Sequence, residues 1–457
     1  MSAFLSKAIA KTSSVVGGAH SSPHKAPSPP GSAGGGASAG GDEQNAKSVM
    51  EGASAENSEQ LDDEPKNMLL ALISQLRVGM DLSRVTLPVF VLEPRSMLER
   101  VTDFHSHPEL LHGVTNLSQE ERFISVLRYY LAGWHIKPKG VKKPYNPVLG
   151  EFFRCRYDYD DGSVGYYMAE QVSHHPPISA WYFASPESGL ELCGELRPKS
   201  KFLGNSAATL MDGESHVRFL DGPGAEDGEY DIGMPNMYAR GILFGKMVLE
   251  LGDTSGVHNE KTGISCDVEF KTKGFFSGTY NSIAGKIKGP KGEIGEVSGY
   301  WSDTMEIQRK GKGKEVLFDA HKATVKQKSV SPEDQQQPFE SRRLWSKVTA
   351  AIKANDIDAA TDAKSAIEDA QREAAREREA KGETFEPKWF KPTGKNGEWR
   401  PAFTLPQGDK KAQRDAVRQF VYGTDPEPPM AGGASVTTTA PAPTATSTAP
   451  PPAAATV

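Results

Sequence analysis

The sequence has 457 residues, 37% of them hydrophobic and 25% charged, enough apolar material for a sizeable core. Its net charge of −6 belongs to the ends: residues 1–65 hold 4 Lys/Arg against 8 Asp/Glu, residues 423–457 hold only Asp425 and Glu427, and 66–422 is formally neutral. Cys155, Cys193 and Cys266 form no CxxC pair, and no stretch approaches the roughly 20 apolar residues of a membrane-spanning helix, so a disulfide scaffold, a cysteine zinc site and a helical membrane protein are excluded.

In chain order, residues 1–65 are rich in Gly, Ser, Ala and Pro and predict a disordered tail, because such a composition cannot bury enough apolar surface to order itself. NMLLALISQLR at 67–77 carries Met68, Leu69, Leu72, Ile73 and Leu76 on a helical stripe. LPVFVLEPRSMLERVTDF then opens extended and becomes helical from about Ser96, and EERFISVLRYYLAGWH at 120–135 predicts an amphipathic helix. From about 147 to 325, aromatic and β-branched runs alternate with Gly, Asp and Asn turns and no helical period intervenes. That texture predicts an antiparallel meander, and a meander this long must curl or close to hide its edges. Helix returns at 340–353 and at 356–381, and 423–457 predicts a second disordered tail of Pro, Thr and Ala. The expected fold is therefore mainly β with flanking helices: one domain over 66–422, built as an incomplete antiparallel barrel wide enough to enclose a cavity.

Three strings carry the chemistry. EQVSHHPP, from Glu170 to Pro177, places His174 and His175 at a strand end that the prolines terminate; the plain reading is a strand terminus with one buried imidazole. VKKPYNPVLGE puts Lys142, Lys143 and Asn146 around a proline turn, which read alone is a solvated loop. Lys364, Glu368 and Arg372 recur at i, i+4 and i+8 and so share one helix face, ordinarily a salt-bridged exposed stripe. Together they offer imidazole, amide and cationic donors of the kind an anionic phosphate needs.

In this order and with these strings, the chain resembles the oxysterol-binding-protein-related lipid carriers, whose fingerprint is EQVSHHPP. KPYNPVLGEFF, MPNMYARGILFGKMVLELGD, FKTKGFFSGTYN and ESRRLWSKVT extend the likeness over roughly 67–400. The resemblance implies a barrel around a lipid tunnel, an N-terminal lid at about 67–105 and a C-terminal helical subdomain. It further implies that Lys143, Asn146, His174, His175, Lys364, Glu368 and Arg372 grip the headgroup of phosphatidylinositol 4-phosphate at the tunnel mouth. LPVFVLE, where the exchanger subgroup usually has LPTFILE, points to phosphatidylserine as second cargo, with Leu87, Phe90 and Leu92 as the apolar underside of the lid against the acyl chains. A sterol is the alternative cargo. The implied protein is a monomeric, cytoplasmic, non-enzymatic exchanger. Its partners would be membrane lipids and anionic membrane surfaces at contacts between endoplasmic reticulum and plasma membrane, with no nucleic acid and no cofactor.

Two other classes compete. A metal-dependent hydrolase would use His174, His175 and a carboxylate, with His105, His107 or His112 as further ligands, although HExxH is absent. A lipid sensor would use the same pocket without delivering its cargo.

Overall fold

The chain between 152 and 319 folds as the alternation of its residues demands, each strand turning one row of side chains to a common interior and the other outward. The computed structural model describes residues 58–59, 69–82, 85, 87–243, 246–274 and 278–430. Its strands are β1 (Ser58–Glu59), β2 (Leu92–Ser96), β3 (Lys143–Tyr145), β4 (Phe152–Asp158), β5 (Val164–His174), β6 (Pro177–Ser185), β7 (Leu190–Phe202), β8 (Ser206–Asp212), β9 (Ser215–Phe219) and β10 (Glu229–Ile232). They continue with β11 (Asn236–Arg240), β12 (Met247–Asn259), β13 (Ile264–Lys271), β14 (Ser282–Gly289), β15 (Gly292–Tyr300), β16 (Thr304–Arg309), β17 (Lys314–Asp319), β18 (Phe390–Lys391) and β19 (Arg400–Pro401). The helices are α1 (Met97–Arg100), α2 (Gln119–Ala132), α3 (Ser341–Leu344), α4 (Ser346–Lys353), α5 (Ile357–Lys381) and α6 (Lys410–Tyr422).

One 15-stranded antiparallel sheet has the main path β17-β16-β15-β14-β13-β12-β10-β9-β7-β6-β5-β4, with β1, β8 and β11 pairing off it. Its two ends, β17 and β4, are not paired with each other among the described residues, so the barrel is incomplete. The β4 edge is covered instead by the segment leading to the C-terminal helices: Arg156 and Ser329 exchange backbone hydrogen bonds, and Phe152 N–H donates to the Phe339 carbonyl (3.1 Å). The first and last strands meet round helix α2, because Phe123, Leu127 and Leu131 share one buried cluster with Tyr167 and Phe183 on one side and Val268, Val297 and Ile307 on the other.

At Leu196 the sheet forks. Ser179 of β6 pairs with Leu196, and from Arg197 onward β7 runs past β6 and pairs with β8. β12 forks likewise, pairing with β11 over Val248–Gly252 before joining β13. The four strands β7, β8, β11 and β12 thus make a flap beyond the barrel end at which the β5–β6 turn, 174–177, also lies.

The helices expected at 120–135 and 356–381 form within a few residues of their forecast ends, and the stretch forecast at 67–77 is helical over 69–73. Ser118 caps α2 by accepting from the Glu121 amide, and Asp356 caps α5 by accepting from the Ala359 amide (3.0 Å). The 340–353 helix divides at Trp345, whose ring is buried against Tyr145.

Three boundaries differ from the forecast. Residues 423–430, assigned to the C-terminal tail, are packed: Asp425 pairs with Arg154 (2.7 Å) and Glu427 with Arg156 (2.6 Å). The two acids neutralise arginines on β4, which composition alone does not reveal. Ser58–Glu59, inside the forecast N-terminal tail, pairs with Val248 and Met247; the rest of both tails lies outside the described residues. The forecast lid also runs too far, because Leu98 and His105 are fully buried in the barrel core. Tyr167 donates to the Leu98 carbonyl and pins that segment, which leaves the described residues of 69–91 as the part packed on the flap and the late helices.

Candidate functional site

The β5–β6 turn, the start of β3 and the first half of α5 converge. Lys143 opens β3, which pairs in parallel with β2 of the N-terminal segment. KPYNP is held there from behind, Tyr145 stacking on Trp345 with ring centroids 4.6 Å apart. Asn146 lies 3.5 Å from His174 Nε2, and the His174 and His175 rings meet edge to face at 4.4 Å. Lys364 Nζ is 2.6 Å from Glu368 on the next turn of α5.

The charges in this group are poorly neutralised. Burial, and the Lys364 ammonium beside it, push the Lys143 ammonium below its usual range, and no carboxylate pairs with it among the described residues. Burial and the neighbouring His175 hold His174 at about 4, which Glu368 only partly offsets. Two ammoniums, two imidazoles and an amide around one carboxylate constitute a site with a deficit of negative charge. An incoming phosphate monoester, carrying about −1.5 to −2, would supply it.

Six of the seven expected headgroup residues are brought together. Arg372 stands at the edge of the group: it feels the Glu368 carboxylate, but its guanidinium bonds Asp369 (2.6 Å) on the exposed side of α5. The periodicity that placed it on the Lys364 face is correct for the backbone, but a long side chain reaches the nearest acid rather than the face its Cα defines. The lid residues divide. Leu92 is buried beside Tyr145, Val148 and Trp345 and anchors β2 to the late helices. Phe90 packs toward the Leu69, Ile73 and Phe202 cluster and its carbonyl accepts from Lys142 Nζ (3.0 Å), while Leu87 is half-buried.

Two acids in the motif strings play roles that sequence reasoning missed. Glu151 is fully buried and accepts from Ser96 (2.5 Å), Ser341 (2.7 Å), Trp345 Nε1 (2.9 Å) and the Val148 amide (3.1 Å). It thereby joins β2, the KPYNP turn and α3 at one point, and burial raises its carboxyl. Glu170 accepts from the backbone amides of Lys388 and Trp389, both at 2.9 Å, and fixes the C-terminal segment to the sheet. The available signal was an acid inside a run of buried residues, which must find donors.

The barrel interior is apolar and aromatic. Val101, Phe104, Tyr130, Trp181 and Leu192 line a cavity of about 40 Å³. That is far below the roughly 300–1,000 Å³ of a ligand pocket. His105 lies on the same wall, its Nδ1 bonded to Tyr129 (2.8 Å) and burial holding it at about 3.

The histidines named for a metal site do not converge. His107 meets His135 (2.8 Å), His112 faces Asp161 (3.7 Å), and both are remote from the His174 group in the contacts they make. The tightest His and carboxylate group among the described residues is His216, Glu229 and Asp231. There His216 already lies between Asp231 (2.7 Å) and Glu398 (2.6 Å), and Arg400 bonds Glu229 (3.1 Å). Those contacts raise the imidazole to about 9, the signature of an imidazolium in an ion-pair network rather than a metal ligand.

An antiparallel sheet wrapped round an apolar interior, with a cation-rich rim at one end, is the build of a domain that takes amphiphilic molecules. A family profile described as Oxysterol-binding protein matches residues 71–414. The chain is 48% identical over 350 residues to an oxysterol-binding protein homolog of Schizosaccharomyces pombe, covering 73% of this chain and 72% of that protein. It is 47% identical over 333 residues to oxysterol-binding protein homolog 7 of Saccharomyces cerevisiae, covering 71% and 76%. Among solved structures, the Osh1 ORD domain in complex with ergosterol superposes with a TM-score of 0.61 at 25% identity, covering 83% of this chain and 98% of that one. The Osh3 ORD of Saccharomyces cerevisiae in complex with PI(4)P shares the fold, with a TM-score of 0.58 at 21% identity over 77% and 93%. The chain belongs to the oxysterol-binding protein family, a family of lipid-binding and lipid-transfer proteins.

Proposed function

We propose that this chain extracts single lipids from membranes and exchanges phosphatidylserine against phosphatidylinositol 4-phosphate, without catalysing a reaction. The observation that carries the reading is Lys143: a desolvated ammonium beside Lys364 and the two imidazoles, with no carboxylate of its own among the described residues. Lys143, Asn146, His174, His175 and Lys364 would bind the inositol phosphate, with Glu368 orienting Lys364 or accepting from ring hydroxyls. Arg372 would join only by leaving Asp369.

Two acyl chains hold about 30 methylenes at about 0.8 kcal/mol each, so crossing water unaided costs on the order of 25 kcal/mol. A dry interior closed by the 69–91 segment removes most of that cost. Because both lipids would occupy one interior, each displaces the other, and a phosphoinositide gradient maintained elsewhere gives direction. Such a carrier works as a peripheral protein between apposed membranes such as endoplasmic reticulum and plasma membrane. No helix among the described residues is long and apolar enough to span one. The LPVFVLE string supports the serine lipid, and the ergosterol-bound Osh1 neighbour supports a sterol as the competing cargo.

Mass spectrometry of the lipid co-purifying with the chain, paired with liposome-to-liposome transfer of each lipid, decides between them. Extraction of sterol with phosphatidylserine ignored would overturn the serine assignment. Failure to extract phosphatidylinositol 4-phosphate would overturn the mouth.

A further inference from the structure

Of the seven large apolar side chains exposed among the described residues, three sit together: Val78 (74% exposed), Met80 (42%) and Leu203 (44%). Two chain segments build this spot. Leu203 opens the turn between β7 and β8, closed by its own amide donating to Ser206 (2.8 Å). Val78 and Met80 belong to the N-terminal segment clasped to the same strand end, where Gly79 N–H donates to the Phe202 carbonyl (2.7 Å) and Phe202 N–H donates to Met80 (3.0 Å). Val78 reaches so close to the turn that a Cβ on Gly204 would lie 3.7 Å from it.

The tip is stiff. Asn205 accepts from the amides of Gly241 (3.1 Å) and Ile242 (3.2 Å) through its carbonyl and from Leu243 (2.9 Å) through its side chain. Beneath it, Leu69, Ile73, Leu82, Phe202 and Met247 are packed and buried, so the three exposed side chains are left over from a completed core. Around them stand Arg77, Lys201 and Lys246, all exposed, with Asp81, the antiparallel bridge partner of Lys201, as the acid among them. The flap lies beyond the barrel end that carries His174 and His175. An apolar point with three cations against one acid around it, at the end through which a lipid would pass, matches the interface of an anionic bilayer.

We infer that the tip formed by residues 78–80 and 203–205 is the surface this protein presses into an anionic membrane. The inference rests on the lipid-exchange reading above. Insertion of Val78 and Met80 would act directly on the clasp to Phe202, so docking and movement of the 69–91 segment would be one event.

The test is flotation of the full chain with phosphatidylcholine vesicles, with and without phosphatidylserine, alongside binding of short-chain phosphatidylinositol 4-phosphate below its micelle concentration. The wild type should float with the anionic vesicles and be released by salt. Leu203→Asp should weaken partitioning about tenfold. Lys201→Glu with Lys246→Glu should weaken it by about fivefold per cation or more. Both variants should bind the short-chain lipid like wild type. An environment-sensitive dye on Leu203→Cys should shift to the blue only with anionic vesicles. Variants that float like wild type, or a dye that does not respond, overturn the assignment. A wild type that ignores every vesicle also overturns it and leaves the tip to a protein partner. If the chain floats but does not bind the short-chain lipid, the mouth reading fails while the tip stands.

Discussion

Histidine meets charge at two places in this molecule, with opposite results. At the mouth, His174 is held at about 4 beside His175 and two ammoniums, with Glu368 as the one nearby acid acting on it. On the outer face, His216 is held at about 9 between Asp231 and Glu398. Both rings are substantially buried, so burial alone does not decide the direction. Its sign follows from whether the surrounding residues complete the charge. The His216 network is complete, and it fixes the 389–401 segment to β9 and β10. The mouth is incomplete, and an external anion would finish it.

Changing His174 and His175 together to Ala tests the incomplete side and carries the largest expected effect. Losing two charge-assisted contacts at roughly 1.5–3 kcal/mol each should lower phosphatidylinositol 4-phosphate extraction at least a hundredfold, measured with labelled liposomes. The thermal midpoint should hardly move. A large loss of stability would place the pair in the structural class instead.

The converse change is Glu398→Gln. It should cost about 3 kcal/mol of folding stability in a denaturant titration, because it leaves a buried imidazolium and the Arg400 guanidinium under-paired. Binding of short-chain phosphatidylinositol 4-phosphate should be retained.

The same contrast sets a pH optimum for stability. The His216 value is raised above 6.5, so its stabilisation is fully present below 6.5 and is lost as pH rises toward 9. His105 is depressed from 6.5 to about 3, so below 6.5 the unfolded chain takes up a proton that the folded chain refuses. His135 and His174, each held at about 4, add acid slopes of the same sign. Each group contributes about 1.4 kcal/mol per pH unit, so the acid limb is steeper than the alkaline one and denaturation midpoints should peak near 6.5. In His216→Gln the alkaline slope should flatten while the acid slope remains.

The smallest expected effect is at Arg372. Its guanidinium is exposed and held by Asp369, so Arg372→Ala should change extraction by no more than about fivefold. A hundredfold loss would mean that the guanidinium leaves Asp369 for the cargo.

Much of this protein was legible from its residues. The alternation from 147 to 325 specified an antiparallel meander too long to remain flat, and the capped, Gly- and Pro-free run at 356–381 specified a long helix, because both patterns are local and repeat over many residues. The three motif strings pointed to a shared anionic ligand because each supplies donors of one kind. What the sequence by itself did not decide is where those strings sit relative to one another and which members face inward. Glu151 and Glu170 read as motif letters, yet they are the buried carboxylates that tie β2, α3 and the 388–389 segment together, a role set by donors more than 50 residues away. Arg372 shares a helix face with Lys364 but bonds Asp369, since a flexible side chain answers to local electrostatics. Asp425 and Glu427 sit in a Pro-rich stretch that reads as a tail, and only the proximity of Arg154 and Arg156 makes them part of the fold. Periodicity and composition are properties of neighbours along the chain. Charge balance is a property of neighbours in space, and it is tertiary structure that completes it at His216 and leaves it open at Lys143.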